Sequence, residues 1–494
     1  MRTLRWLPGL ILATVLAPGA FAQNEQDALR FSSILPGGTA RSWGMGSAMG
    51  AVGADPAAAS LNPAGFGLYN TSEVSFTPAF EVNDARTTHY GSGASDSDSR
   101  FHFGNFALIL NSPNTNGGDW RGGTFGVSFD RQASFHGEVR AMGDANSTIL
   151  TQFANQGFGT APSGMYNAFP FGSGLAYDTY GIDPNFPDSL SYTGAILQGT
   201  PVRQQHTIST SGRLNTTSIF YANNYLDKLY VGASLGIVGT RYERTMVHKE
   251  TNLDPAQDLN DLTYKEHLLT TGSGVDLKVG AIGRVNEQLR LGLSFHSPMW
   301  LQMSDAYTYS MTTNFRTPGT DGGTHYESDS PDGSYNYRIR TPWNVVASAA
   351  YVVGKHGLVS LDYGYTNFRQ ARLNHSNNLS DEYDFAMENA AIRDEFRSVH
   401  SLRVGTEWRS GNWYFRGGWG IWPDAYNDHD ALQGTAYKRY TAGIGFRTTR
   451  VSIDLAGVYG TRDTYFFQYD PSLVAATSER LTDTRGMLTI AFRP

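Results

Sequence analysis

Cysteine is absent from the 494 residues, which removes disulfides and thiolate metal sites together. Charge is sparse at 17% of residues, and its net value of -7 argues against nucleic acid as a partner, which would want a basic face. Long apolar runs are missing too, except at the N-terminus. There Arg2 and Arg5 lead into Leu7 to Leu16, and Ala20-Phe21-Ala22 supplies a small-residue cleavage pattern before Gln23. Residues 1–22 therefore read as an export signal peptide. Pro8 and Pro18 bound the run, leaving it short of the roughly 20 residues that a spanning helix needs. Linkers are lacking as well. A soluble exported chain of this length would be expected to split into domains, and no composition break divides this one.

What the chain has instead is period-two alternation, recurring from about residue 71 to the end. Leu229, Val231, Ala233, Leu235 and Ile237 alternate with Tyr230, Gly232, Ser234 and Gly236. The same pattern returns over 275–281, 289–296, 451–455 and 488–493, so one face wants lipid while the other tolerates charge. A soluble sandwich also alternates, and the connections separate the two readings. Short turns near 223–227, 285–288, 354–357, 410–412 and 448–450 take turns with long polar loops near 84–98, 135–205, 248–263, 312–334, 372–394, 423–435 and 468–479. Tight connections at one end and long ones at the other mark a transmembrane antiparallel β-barrel. The count between them is about 14 strands, spanning residues 70–494. Trp343, Trp408 and Trp413 are candidates for interfacial girdles, or else pack beneath loops.

Before the strands lies Gly37 to Tyr69, dense in Gly and Ala. Asp55 before Pro56 makes an N-cap and first-turn pair, predicting a short helix to about Ser60. Asn62 before Pro63 and Ala64 repeats the device. This compact run of turns reads as a plug, residues 23–69, since a barrel of about 14 strands is too wide to be filled by its own side chains. An ordinary cap and bend is the plainer alternative for the motif taken alone.

Asp55, Ser60 and the run Asn62-Pro63-Ala64, placed ahead of a barrel, resemble the N-terminal hatch of the FadL-type outer-membrane transporters. The order of plug then barrel matches that family over essentially the whole mature chain. The resemblance implies passive uptake of hydrophobic molecules, long-chain fatty acids or aromatic hydrocarbons, with sideways release through a gap beside a kinked strand. It also implies an outer-membrane location with the hatch and both termini on the periplasmic side, a monomer, and no cofactor. Similar barrels serve as adaptors in a protein-secretion machine, so a role in binding other outer-membrane proteins is the competing reading.

Within that frame, Gly122, Gly123 and Gly126 on the third strand are the candidate lateral gate, because glycine inside a strand often marks a bend. They equally fit relief of crowding beside a plug. Lys278, Arg290 and Arg403 fall on the inward face as candidate cations for a carboxylate head group. Each could instead pair with an inward acid such as Asp276, Asp362 or Glu407. Loop 135–205 carries Phe153, Phe158, Tyr166, Phe169, Phe171, Tyr177, Tyr180, Phe186 and Tyr192, either an external landing surface or a loop folded on its own aromatics. Enzyme readings are weak. Gly232-Ala233-Ser234-Leu235-Gly236 matches G-x-S-x-G, but within a strand rather than at a strand-to-helix elbow. Gly44-Met45-Gly46 with Gly50 lacks the spacing of a dinucleotide fingerprint. Asp424, Asp428 and Asp430 read as a solvated acidic loop rather than a calcium site, so no metal is expected.

Overall fold

The computed structural model describes residues 25–115, 117–187, 189–376 and 383–494. The expected signal peptide lies outside the described residues. Fourteen antiparallel strands close into a barrel. They begin with Glu73–His89, Ser92–Pro113, Trp120–Ser134 continued by Gly137–Ala145, Val202–Tyr225, Leu229–Asn252 and Leu259–Arg284. The seventh is Leu289–His296 continued by Trp300–Phe315, the eighth Gly333–Arg340 continued by Asn344–Val353, and the ninth Gly357–Asn367 continued by Arg372–His375. Ser398–Ser410, Trp413–Trp422, Tyr437–Arg447, Val451–Phe466 and Thr477–Phe492 complete the wall. The last strand pairs with the first from Val74↔Phe492 to Thr88↔Ser478, leaving no sheet edge at the seam.

Alternation dictates which face turns where. Leu235, Ile237, Val275, Leu277, Leu291, Leu293, Ile453 and Leu455 all project from the wall and are exposed. Their neighbours Ser234, Asp276, Lys278, Ser294 and Asp454 point inward and are buried. The large apolar side chains thus form an outer belt and the polar ones the interior, the inverse of a soluble domain and what hydrocarbon surroundings require. Trp408 and Trp413 project at the short-turn end of this belt. Trp343 sits at a different level, with its ring 6.3 Å from Phe295 and 5.7 Å from Tyr365. It occupies one of three neighbouring breaks in the wall, at 297–299, 341–343 and 368–371, where Pro298 and Pro342 cannot donate to a ladder.

Two connections differ from expectation. The stretch 84–98 is not a loop: the first strand runs to His89 and the second starts at Ser92, joined by Tyr90 and Gly91 with positive φ of 44° and 79°. Asp84, Arg86, Ser95, Asp96 and Asp98 make both faces polar, so the alternation vanishes where the hairpin extends past the apolar belt. The stretch 248–263 is likewise mostly strand, with only 253–258 between Asn252 and Leu259. The long connection 146–201 folds into short helices, Ile149–Gln156, Met165–Ala168 and Ser173–Asp178. Leu150, Phe153, Met165, Leu175 and Ile182 bury one another there against Leu262 and Met311 of the wall. Phe158 and Phe186 remain outside that core, 73% and 85% exposed.

Candidate functional site

The segment before the first strand lies within the barrel, and its caps organise it. Thr39 accepts from the Ser42 amide at the start of Ala40–Gly44, Asp55 from the Ala57 amide at Pro56–Ala59, and Asn62 from the Ala64 amide at Pro63–Leu68. The last two turns are 3₁₀ in form, as befits short runs of four and six residues. Thr39 Oγ1 also donates to both Asp55 oxygens at 2.9 Å, tying the first turn to the second. Burial pushes the Asp55 carboxyl up, opposed by Arg41 and by the bonds from Ala57 and Thr39. Asn62 does two jobs, since its Nδ2 donates to the Gly50 carbonyl at 2.7 Å and to the Ala281 carbonyl of the sixth strand at 3.3 Å. Ala64 packs against Tyr230 and Ile282 of the wall.

The wall is cut to receive these turns. A Cβ at Gly232 would stand 2.5 Å from the Pro63 carbonyl oxygen, one at Gly292 would stand 2.6 Å from that of Gly50, and one at Gly280 would overlap Asn62 Oδ1. Ser234 Oγ donates to the Ala59 carbonyl at 3.3 Å. The G-x-S-x-G match is therefore a seat for the N-terminal segment. A Cβ at Gly126 would overlap the Leu108 carbonyl oxygen of the second strand and stand 2.7 Å from the Phe220 ring, and Phe66 stacks on Phe220 at 3.5 Å between centroids.

Charge fastens the seat. Arg41 donates to Glu407 through Nε and Nη2 at 2.9 and 3.0 Å, and Arg416 Nε reaches the same carboxylate at 2.6 Å. Arg416 Nη1 also lies 2.7 Å from Asp454. Trp43 sits between Arg439 and Arg485, whose guanidinium carbons are 4.2 and 5.3 Å from its ring. The three candidate head-group cations are occupied here. Lys278 pairs with Asp276, Arg403 lies 3.2 Å from Asp362, and Arg290 donates to the Val52 carbonyl at 3.0 Å. Asp362 in turn accepts from the Gly50 amide at 3.1 Å. Arg290 thus holds the N-terminal segment directly, and Arg403 acts on it through Asp362.

Toward the long-loop end the interior becomes apolar. Helix Glu25–Ser32 enters it with Phe31 edge-on to Phe135 at 5.8 Å, among Leu268, Met303, Tyr337 and Phe396. The helix packs against Ala386–Glu395 of the connection between the ninth and tenth strands. The first described residues therefore lie at the long-loop end, whereas the C-terminal strand finishes beside Val74 at the short-turn end. The apolar residues 28 and 31 follow the apolar half of the interior, and the mature N-terminus expected at Gln23 lies outside the described residues.

Beside the third strand the hydrogen bonding of the wall has a seam. Pairing with the second strand ends at Asn105↔Asp130, and pairing with the fourth skips Gln132. Above that point Gly137–Ala145 stays with the fourth strand, and among the described residues no ladder joins it to Ser92–Gly104. The upper third strand instead crosses the first strand, where Asn83 donates to the His136 carbonyl at 2.9 Å and Thr87 to that of Arg140. A small cavity lies behind the seam, lined by Trp43, Ala79, His102, Gly104, Ala133 and Met487. Outside it Phe101 and Phe103 are exposed. Gly122, Gly123 and Gly126 stand on the same strand away from the seam, paired on both sides, with a second register shift beside Gly122 where the ladder to the fourth strand skips Arg121. The bend comes at Gln132 and Phe135, opposite Gly212 with φ 132°.

Among the described residues no three metal-ligating side chains are grouped to hold an ion. Asp424 and Asp430 each accept a backbone amide two residues on, and Asp428 pairs with Arg397.

No protein-family model matches the chain, and no curated protein matches it in sequence. Solved structures do. The toluene transporter TodX of P. putida superimposes with a TM-score of 0.54 at 12% identity, covering 93% of this chain and 99% of that one. A FadL homologue of Pseudomonas aeruginosa gives 0.53 at 12% identity, over 93% and 98%. The toluene transporter TbuX of Ralstonia pickettii gives 0.51 at 14% identity, over 93% and 99%. At such identities the likeness is one of fold, and the fold is that of the FadL-type outer-membrane barrels.

Proposed function

We propose that the chain is an outer-membrane channel for passive uptake of hydrophobic molecules, with residues 25–69 as its hatch and the seam beside the third strand as its lateral outlet. Long loops face outward and short turns face the periplasm. The observation that carries this reading is the ladder ending at Asn105↔Asp130 with a cavity behind it and phenylalanines outside. TodX and TbuX, which share the fold, are described as toluene transporters. A ligand entering from the long-loop end would take the apolar space that Phe31 now fills, gaining about 0.8 kcal/mol per buried CH₂. Its way out is held by the hatch residue Trp43 and by the two bonds from Asn83 and Thr87, each worth about 1 kcal/mol. Binding of a short acyl chain or an aromatic ring is enough to offset that. No head-group cation is required, and the charged interior below the chamber turns the ligand sideways.

The test is transfer of a labelled long-chain fatty acid, and separately of toluene, into liposomes holding the refolded barrel. Deleting Gln132 removes the bulge and lets the third strand run straight. Transfer should fall at least tenfold with heat-modifiable mobility unchanged. Equal transfer by the deletion variant, or none by the wild type, would overturn the proposal.

A further inference from the structure

The outer surface above the apolar belt carries cations that no carboxylate of the described residues meets. On the eighth and ninth strands the inward residues are Tyr337, Ile339 and Leu373, all buried, so Arg338, Arg340 and Arg372 point outward. Arg340 is the direct cross-strand partner of Arg372, and on its other side it faces the exposed Trp300. Like charges placed opposite one another in antiparallel strands stand about 5 Å apart and repel. Arg393 and Arg340 are the charges felt at Arg372, and Arg369 is exposed on the turn just before it. Among the described residues none of these five arginines has an acidic partner within ion-pair distance, while the nearby Arg397 has Asp428. A fold that pairs Arg41, Arg403, Arg416 and Arg485 with acids in its interior leaves this set with backbone carbonyls alone among the described residues: Arg338 donates to that of His375 at 3.0 Å, and Arg372 to those of Arg369 and Ala371 at 2.7 and 2.6 Å through a single Nη.

Position adds the second part. The two strands that carry the arginines, and the seventh strand beside them, carry outward aromatics one step nearer the belt. They are Phe295 on the seventh, Trp343 on the eighth, and Tyr363 and Tyr365 on the ninth, with His400 5.2 Å from the Tyr365 ring. Rings of this kind mark the level of the bilayer interface, and head groups lie just beyond them. Three arginines in one row and its flank supply fixed, planar donors suited to phosphate.

We infer that this face binds a phosphate-bearing anionic lipid of the outer leaflet, its phosphate bridging Arg340 and Arg372 and its acyl chains lying over Trp343 and Tyr365. The inference rests on the outward placement of the long loops proposed above, but not on transport.

The probe is bisphosphorylated lipid A, titrated into the full chain in phosphatidylcholine nanodiscs and read by native mass spectrometry. One lipid should be retained per barrel. R340Q/R372Q should weaken retention at least tenfold, R340K/R372K should keep most of it, and R203Q, which removes an exposed arginine paired with Asp144, should leave it unchanged. Heat-modifiable mobility reports that each variant is folded. Retention unaltered in R340Q/R372Q, an equal loss in R203Q, or complete displacement by millimolar inorganic phosphate would overturn the inference. Fatty acid transfer by R340Q/R372Q should match the wild type, so that failure of the lipid site and failure of the transport reading register separately.

Discussion

Replacing Glu407 with Gln tests what seats the hatch. Glu407 is the shared acceptor of Arg41 on the hatch and Arg416 on the eleventh strand, and all three side chains are buried. Gln keeps the shape and removes the charge, leaving two guanidinium groups facing a neutral amide. Breaking a buried ion pair from one side costs about 3–5 kcal/mol. Here the lower end applies, because Arg416 retains Asp454 at 2.7 Å and Arg41 retains Asp55 at 3.9 Å. A loss of about 3 kcal/mol shifts the ratio of seated to unseated hatch by roughly a hundredfold. Two readouts follow that shift. Planar-bilayer conductance should become frequent where the wild type is closed, and trypsin should cut after Arg41, which is buried when the hatch is seated. Arg41→Met/Glu407→Met removes both charges together and should cost under about 1.5 kcal/mol, since an apolar pair of similar volume replaces an ion pair nearly neutrally. If Glu407→Gln barrels are folded yet stay as closed and as trypsin-resistant as the wild type, the charge is not what holds the hatch. If the double variant is worse than the single, the reasoning about unpaired charge is wrong.

Gly280→Val should unseat the hatch more completely than Glu407→Gln, because its side chain overlaps Asn62 Oδ1, whereas Gly283→Ala, with nothing within 4 Å, should leave conductance unchanged. Asn62→Ala should cost about 1–2 kcal/mol through loss of the cap on Ala64 and the bonds to Gly50 and Ala281, read as a lower thermal midpoint for hatch release. The contact between Glu25–Ser32 and Ala386–Glu395 should loosen as pH rises. Burial, with Glu25, Asp430 and Asp394 nearby, pushes the Glu395 carboxyl from its ordinary 4.5 up to about 7. A raised carboxyl favours the packed state fully below about 4.5, and that advantage is lost as pH rises through about 7. A nitroxide at Q26C, in a chain with no other cysteine, should gain mobility between pH 5 and 8 in the wild type and not in Glu395→Gln. Equal mobility gain in both would exclude Glu395 as the titrating group.

The barrel was legible because lipid and lumen impose opposite demands on alternate residues, so Leu289-Arg290-Leu291-Gly292-Leu293 announces its faces without help from tertiary structure. The caps Asp55 and Asn62 were legible because capping is local chemistry. What failed needed knowledge of a neighbour. Both faces of 84–98 are polar because that hairpin stands clear of the belt, a fact of height rather than of pattern. For Lys278 and Arg403 spacing left two readings open, a head-group cation or a partner for an inward acid, because it shows that a side chain points inward but not what meets it there; Asp276 and Asp362 meet them.

The glycines show most plainly why the site was harder than the fold. Gly122, Gly123 and Gly126 are paired on both sides, with a register shift just before Gly122, and a Cβ at Gly126 would overlap the Leu108 carbonyl oxygen of the second strand and meet the Phe220 ring at 2.7 Å, with Phe66 stacked on that ring. The bend stands at Gln132, whose own side chain carries no signal, and the residue that permits it is Gly212 on the adjacent strand. A strand glycine therefore has two distinct meanings, flexible backbone or close approach, and one sequence does not separate them. There is a usable signal all the same. Gly232, Gly280 and Gly292 occupy inward positions on three successive strands, the first two directly paired and the third one inward position from the partner of Gly280, where an unplugged barrel has no reason to keep small residues together. Together with the Gly and Ala density of 37–69, such a ring of inward glycines marks the seat of an inserted segment by pattern alone.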